Sequence, residues 1–260
     1  MPGVNALLSL NRQVWLKEWR ENRWKTIAFG LVLVVNAAVT AVFFDQLTRI
    51  LKDITIPKWA EGQLVNQMAA YPTYVWANWF GKNLYQMATL FLVLYGMSAM
   101  ASEVSRGTSS FLLSKPVRRG TVLFSKWLSS AAGFALVTVV STLLLYPLSL
   151  AAGHTYEIGR HLAALPMVIA AGLVVLSLSF VFSVVFDDPV KAGGAATLAL
   201  LVLSFPSWFV KLRQWSLFYY LSAGPVAADG SPHWGFVLLM LVLAVAVYAV
   251  AQRLLEQKDF

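Results

Sequence analysis

Six long apolar runs separated by polar connections set the pattern of this chain. They cover about residues 27–44, 84–101, 128–152, 162–186, 192–210 and 235–251. The first holds about 18 residues, which as a helix rising 1.5 Å per residue spans roughly 27 Å, close to the thickness of a bilayer's hydrocarbon core. None of the six contains Asp, Glu, Lys or Arg. The pattern predicts six transmembrane helices, hence an all-α polytopic membrane protein built as a single membrane domain over residues 1–260.

What precedes the first run is amphipathic rather than uniformly polar. At 100° per residue over 4–25, Val4, Leu7, Leu8, Leu10, Val14, Trp15 and Trp19 share about half of the helical circumference, and Arg12, Arg20 and Arg23 lie on the other half. Glu18 intrudes on the apolar arc. Residues 1–26 are therefore expected as an interfacial helix in which Trp15, Trp19, Arg20 and Arg23 meet headgroups and anionic lipid. The same helix also suits a contact with a cytoplasmic partner. No small-residue cleavage site follows a short apolar stretch, so a removable signal peptide is not expected.

The connections differ in character. Residues 45–83 are the longest, broken by Pro57, Gly62, Pro72 and Gly81 and dense in aromatics (Trp59, Tyr71, Tyr74, Trp76, Trp79, Phe80). An aromatic belt at the lipid headgroups is the simplest account, and a lid over the mouth of a pathway is the alternative. His154 and His161 lie in a polar turn without an acidic or cysteine partner at metal-ligand spacing and are expected at the interface. Asp187-Asp188-Pro189-Val190-Lys191 is too short to allow anything but antiparallel fourth and fifth helices, and its two acids read as turn and cap residues. Gly193-Gly194-Ala195-Ala196 then allows close helix approach. Pro147 removes a backbone donor within the third run and is expected to kink it. Residues 211–234 are expected to dip along the membrane surface. Asn36, the one strongly polar residue inside the first run, is expected to bond a neighbouring helix or to touch cargo.

The central connection, 102–127, carries five cations (Arg106, Lys115, Arg118, Arg119, Lys126) against one acid, Glu103, with the apolar triplet Phe111-Leu112-Leu113 in their midst. Of the 20 Lys and Arg, 13 fall on the side of the N-terminus and 7 on the other. The excess of cations on the cytoplasmic side predicts that both termini and this loop face the cytoplasm, in the inner cell membrane.

Composition narrows the chemistry. At 58% hydrophobic, 12% charged and a mean hydropathy of +0.67 the chain is far too apolar for a soluble domain. The net charge of +8 belongs to loops flanking apolar runs, which argues for lipid contact and against nucleic acid. Zero cysteines exclude disulfides, thiolate metal sites and cysteine nucleophiles. No ionisable group at membrane depth is present to hold a coupling ion, and no nucleophile–base pair or paired acids suggest a hydrolase. Gly81-Lys82 lacks the first glycine and the hydroxyl of a phosphate-binding loop, having Trp76 and Asn83 in those places. Any ATP must be used by another protein.

In the central connection, Glu103, Arg106-Gly107-Thr108, Leu112-Leu113, Lys115-Pro116-Val117-Arg118-Arg119 and Lys126 resemble the segment after the second span in the type-2 permease subunits of ATP-binding-cassette (ABC-2 family) exporters. The amphipathic N-terminus, the six-span layout and the closing triplet Lys258-Asp259-Phe260 extend the resemblance along the chain. It implies a transport subunit rather than an enzyme, with no cofactor of its own. ATP and Mg would sit on a separate cytoplasmic ATPase, and a second permease copy or paralogue would complete the pathway. The loop would seat in a cleft of the ATPase as a short coupling helix, with Phe111, Leu112 and Leu113 as apolar contacts and Arg118 and Arg119 as electrostatic ones. Asp187, Asp188 and Lys191 would form a second cytoplasmic contact. The apolar, aromatic spans suit an amphiphilic or hydrophobic cargo. An ion-coupled carrier and a non-transporting scaffold for an ATPase are the alternatives.

Overall fold

The computed structural model describes residues 2–53, 70–105, 107 and 119–258, with side chains of the first segment placed over residues 16–50. Among these residues every regular element is helical. α1 (Pro2–Asp53) runs for 52 residues without interruption. The expected interfacial helix and the first span are therefore one rod, with no turn near residue 26 to lay one part flat against the other. The sequence reason is simple: no Gly or Pro stands between Trp15 and Phe29 to break the helix. Its buried stripe, Phe29, Leu33, Ala37 and Ala41, recurs every four residues and packs on α5 (Arg119–Ala151).

The second apolar run is built differently from the others. α2 (Tyr71–Asn78), a π-helical segment (Trp79–Leu84) and α3 (Tyr85–Met97) follow one another directly, in 8, 6 and 13 residues. The widened π turn puts Trp79, Phe80 and Leu84 into the core, fully buried. Expected to end at 101, the helix ends at Met97. After a break at Ser98–Met100 the five-residue α4 (Ala101–Ser105) leads away.

α5, 33 residues long, begins at Arg119 rather than near 128, so the central connection contributes its last residues to a membrane helix. It continues through Pro147. α6 (Ile158–Val185) is the most buried helix and the centre of the bundle, touching α3, α5, α7 (Pro189–Ser204), and most extensively the last helix. Close approach is achieved with small residues. A Cβ on Gly96 of α3 would lie 2.2 Å from that of Ser179 on α6, and one on Gly172 of α6 would lie 2.3 Å from the Phe134 ring of α5. The turn at 186–188 makes α6 and α7 antiparallel neighbours as expected, and the Asp188 carboxylate caps α7 by accepting from the Lys191 N–H at 2.9 Å. Residues 205–229 then form two 3₁₀ turns (Phe205–Trp208, Arg213–Trp215) and two short helices, α8 (Leu217–Leu221) and α9 (Gly224–Asp229), before α10 (Trp234–Gln257).

Five helices among the described residues are long and apolar enough to cross a membrane, within Leu16–Ile50, Arg119–Ala151, Ile158–Val185, Pro189–Trp208 and Trp234–Gln257. The second apolar run is not one of them, because the π segment divides it and α3 alone rises only about 20 Å.

Candidate functional site: the root of the central connection

At the end of the bundle where the central connection leaves and returns, three parts of the chain are tied by charge. Lys126 is 5% exposed, on the second turn of α5, and donates to Glu18 Oε2 at 3.0 Å and Glu103 Oε1 at 3.2 Å. Glu18, 2% exposed, comes from α1, and Glu103 from α4. Thus the residue that disturbed the amphipathic pattern of α1 is the buried partner of a lysine at a sequence separation of 108. Glu18 was missed as a site residue. The signal for it was present, since Glu18, Asn22 and Thr26 are spaced four apart and Thr26 stands three residues before Phe29, on the same helix face as the buried apolar stripe. Asn22 donates to Ser129 and Ser130 of α5 at 2.9 and 3.2 Å, and the Thr26 and Tyr95 hydroxyls meet at 2.8 Å. Lys25 bonds Ser98.

The break between α3 and α4 is held by Ser183 of α6, also missed from the sequence. Its hydroxyl accepts from the N–H groups of Met100 at 2.9 Å and Ala101 at 3.1 Å and donates to the Met97 carbonyl at 3.1 Å. This fixes the angle at which α4 carries Glu103 to Lys126. Gly107 closes α4 with φ of +67°, its N–H reaching the Val104 carbonyl at 2.9 Å, which gives the glycine of the Arg-Gly-Thr motif a backbone reason.

A second tie forms nearby. Arg119 Nη1 donates to the Lys258 carbonyl at 2.8 Å, while Lys258 Nζ donates to the Val184 carbonyl at 2.8 Å and to Asp187 Oδ1 at 2.6 Å. The tail thereby caps the C-terminus of α6 with an ammonium, where the helix dipole favours a cation, and joins the turn before α7 to the start of α5. Asp187 is thus engaged, Asp188 is a helix cap, and the Lys191 side chain is exposed.

Other expected residues fall elsewhere. Arg106 and residues 108–118, including the Phe111-Leu112-Leu113 triplet, the Pro116-Val117 pair and Arg118, lie outside the described residues, as does the Trp15 side chain. Trp19 is half-buried, and Arg20 and Arg23 are exposed, Arg23 over the Trp24 ring at 5.3 Å. Asn36 bonds its own helix rather than a neighbour, donating to the Val32 carbonyl at 2.8 Å. Its four-residue reach to a carbonyl of the preceding turn satisfies an amide donor within its own helix.

The opposite end is aromatic. Tyr71, Tyr74, Trp79 and Phe80 are buried against α1, α5 and α6 instead of girdling the bundle. Their polar atoms found partners inside: Tyr71 donates to Ser149 at 2.6 Å and Trp79 to Thr142 at 3.1 Å. His154 stacks on Tyr71 and meets Asp45 at 3.2 Å, and His161 packs among Trp76, Phe80 and Tyr156. Burial pushes the Tyr156 phenol well above its usual range, keeping it protonated.

Between α3 and α7 an open groove of about 650 Å³ runs along the bundle's flank. Leu90, Val93, Leu94 and Leu201 make it apolar, and Gln86, Thr89, Thr197 and Ser204 give it a sparse polar side.

A search of curated proteins gives no match. A family model described as ABC-2 family transporter protein matches residues 13–212, a stretch that takes in most of α1, both roots of the central connection and most of the α3–α7 groove. With most of the chain covered, and apolar helices to match, this is a multi-pass membrane permease that belongs to the ABC-2 transporter family.

Proposed function

We propose that the chain is the permease subunit of an ATP-binding-cassette exporter for an amphiphilic or hydrophobic cargo. Its energy comes from ATP, with Mg, hydrolysed on a separate cytoplasmic ATPase, and two permease subunits, alike or paralogous, enclose the pathway. The observation that carries this reading is the ionic root of the central connection. Lys126 joins Glu103 on one arm of the connection to Glu18 on α1. Arg119 joins the other arm to the tail, and through Lys258 to Asp187 before α7. A force applied to residues 106–118 by a docked ATPase therefore acts on α1, α4, α5 and the α6–α7 turn together. That is the rigid linkage a domain-driven transporter needs.

In this reading six segments cross the inner cell membrane, the sixth being the composite Tyr71–Met97 helix, and both termini face the cytoplasm. The α3–α7 groove, apolar with few fixed charges, is where cargo and the second subunit meet this chain. Asp187 and Lys191 border the ATPase beside the central connection.

The experiment is co-purification from the native membrane in mild detergent, wild type beside a Phe111→Asp, Arg118→Glu double variant, followed by flux of a fluorescent amphiphile from proteoliposomes. An ATPase retained by the wild type and lost from the folded variant, with ATP-dependent flux, is the expected result. Flux that ignores ATP and collapses with the ion gradient would replace this reading with an ion-coupled carrier. Retention of an ATPase without any flux would replace it with a scaffold.

A further inference from the structure

At the aromatic end, a pocket of about 290 Å³ opens between α2 and the start of α6, lined by Thr73, Trp76, Glu157, Arg160, His161 and Ala227. Glu157 stands at the N-cap position of α6 yet makes no side-chain cap bond. Arg160 is held in place by three contacts: Nη2 donates to the Ala227 carbonyl at 2.7 Å and the Val226 carbonyl at 3.4 Å, and the guanidinium lies over Trp76 at 5.1 Å. The acid and the base line one pocket, and neither has a charged partner among the described residues. His161, 3% exposed, forms part of the wall. Its Nδ1 faces the Glu157 carbonyl at 3.3 Å and its Nε2 has no hydrogen-bond partner among the described residues. A carbonyl only accepts, so Nδ1 carries the hydrogen and the neutral ring presents Nε2 as an acceptor.

We propose that this pocket binds a zwitterionic head group with a primary ammonium and a phosphodiester, as in phosphatidylethanolamine. The ammonium sits beside Glu157 and the imidazole wall, and the phosphate against Arg160. Two opposite charges lining one cavity without pairing complement a ligand that carries both signs. A primary ammonium supplies donors to the carboxylate, and to Nε2 once binding turns that buried atom toward the pocket, relieving an acceptor whose lack of a donor costs about 1–3 kcal/mol. A trimethylammonium has no such donor, and the Trp76 face that would attract it by cation–π contact already carries Arg160. The volume admits a head group but not an acyl chain. The position, at the first turn of the membrane-crossing helix α6, is the level of a membrane interface.

The test uses the full chain, delipidated in detergent, with native mass spectrometry to follow dioleoyl lipids added back. The wild type is expected to retain one phosphatidylethanolamine about tenfold or more tightly than phosphatidylcholine or phosphatidylglycerol, the scale of one charge-assisted hydrogen bond. Glu157→Gln, an exposed and fold-neutral change, and His161→Phe should each bring ethanolamine lipid down to the level of choline lipid without altering the latter. Free glycerophosphoethanolamine, the soluble phosphodiester, that competes would identify the head group as sufficient; failure to compete, with the preference intact, would assign the lipid. Equal retention of ethanolamine and choline lipids would overturn the proposal, leaving a merely hydrated pocket. So would a preference for phosphatidylglycerol, which needs only the arginine, or a preference that survives Glu157→Gln.

Discussion

Replacing Lys126 by Met is the most informative single perturbation of the ionic root. The ammonium has two carboxylate contacts, at 3.0 and 3.2 Å, with its side chain 7% exposed and those of Glu18 and Glu103 3% and 16% exposed. At an effective dielectric near 20 each contact is worth about 5 kcal/mol of attraction before desolvation. Most of that is offset by the cost of burying three charges and by repulsion between the two acids. What Lys126→Met removes is the compensation for carboxylates that stay behind, and breaking a buried pair in this way costs about 3–5 kcal/mol. For a chain of this size each kcal/mol moves the melting temperature by about 2–4 °C, so a fall of about 6–20 °C is expected in a fluorescence-monitored thermal melt in detergent. Glu18→Gln in the same background should recover part of the loss, since it removes the stranded charge. Lys17→Met is the control: its side chain is 44% exposed and lies 4.0 Å from Glu18, so it should cost under about 1 kcal/mol. A Lys126→Met melt within about 2 °C of wild type, or a loss no larger than that of Lys17→Met, would refute the reasoning.

Other consequences can be checked with the same preparations. Gly96→Ala should destabilise by about 1–3 kcal/mol through overpacking against Ser179, whereas Gly194→Ala, with nothing within 4 Å of the new methyl, should melt like wild type. Ser183→Ala strips the Met100 and Ala101 N–H groups of their acceptor, so it should cost about 1–3 kcal/mol and speed hydrogen exchange at residues 98–105 selectively. The native chain contains no cysteine, so single cysteines report cleanly on topology. Thr155→Cys should react with an impermeant maleimide in intact cells, and Val190→Cys, at a site 76% exposed in the fold, only after permeabilisation. The reverse labelling would invert the proposed orientation.

Much of the architecture was legible in one dimension because transfer of a segment into lipid depends on its summed apolar content, a local property. Helical class, the apolar runs and the antiparallel pairing across Asp187-Asp188 could all be read from residue order. So could the likeness carried by Glu103, Gly107, Arg119 and Lys126. Where each helix begins and ends was less legible. The composite Tyr71–Met97 helix and the single rod of α1 depend on backbone choices, a π turn and an unbroken junction, that hydropathy does not encode.

Which faces meet was decided by the tertiary structure alone. Glu18 looked like a flaw in an amphipathic helix because its partner, Lys126, lies on α5, which packs along α1. Tyr71 and Trp79 looked like interfacial anchors because the hydroxyls of Ser149 and Thr142 that receive them belong to a helix distant in sequence. Glu157 and Arg160 came to share a pocket with Trp76 only through the packing of α2 on the start of α6. The sequence by itself determined that this chain is a helical protein of the membrane. The packing of small residues such as Gly96 and Gly172 against neighbouring helices decided which polar groups, once removed from water, would find one another.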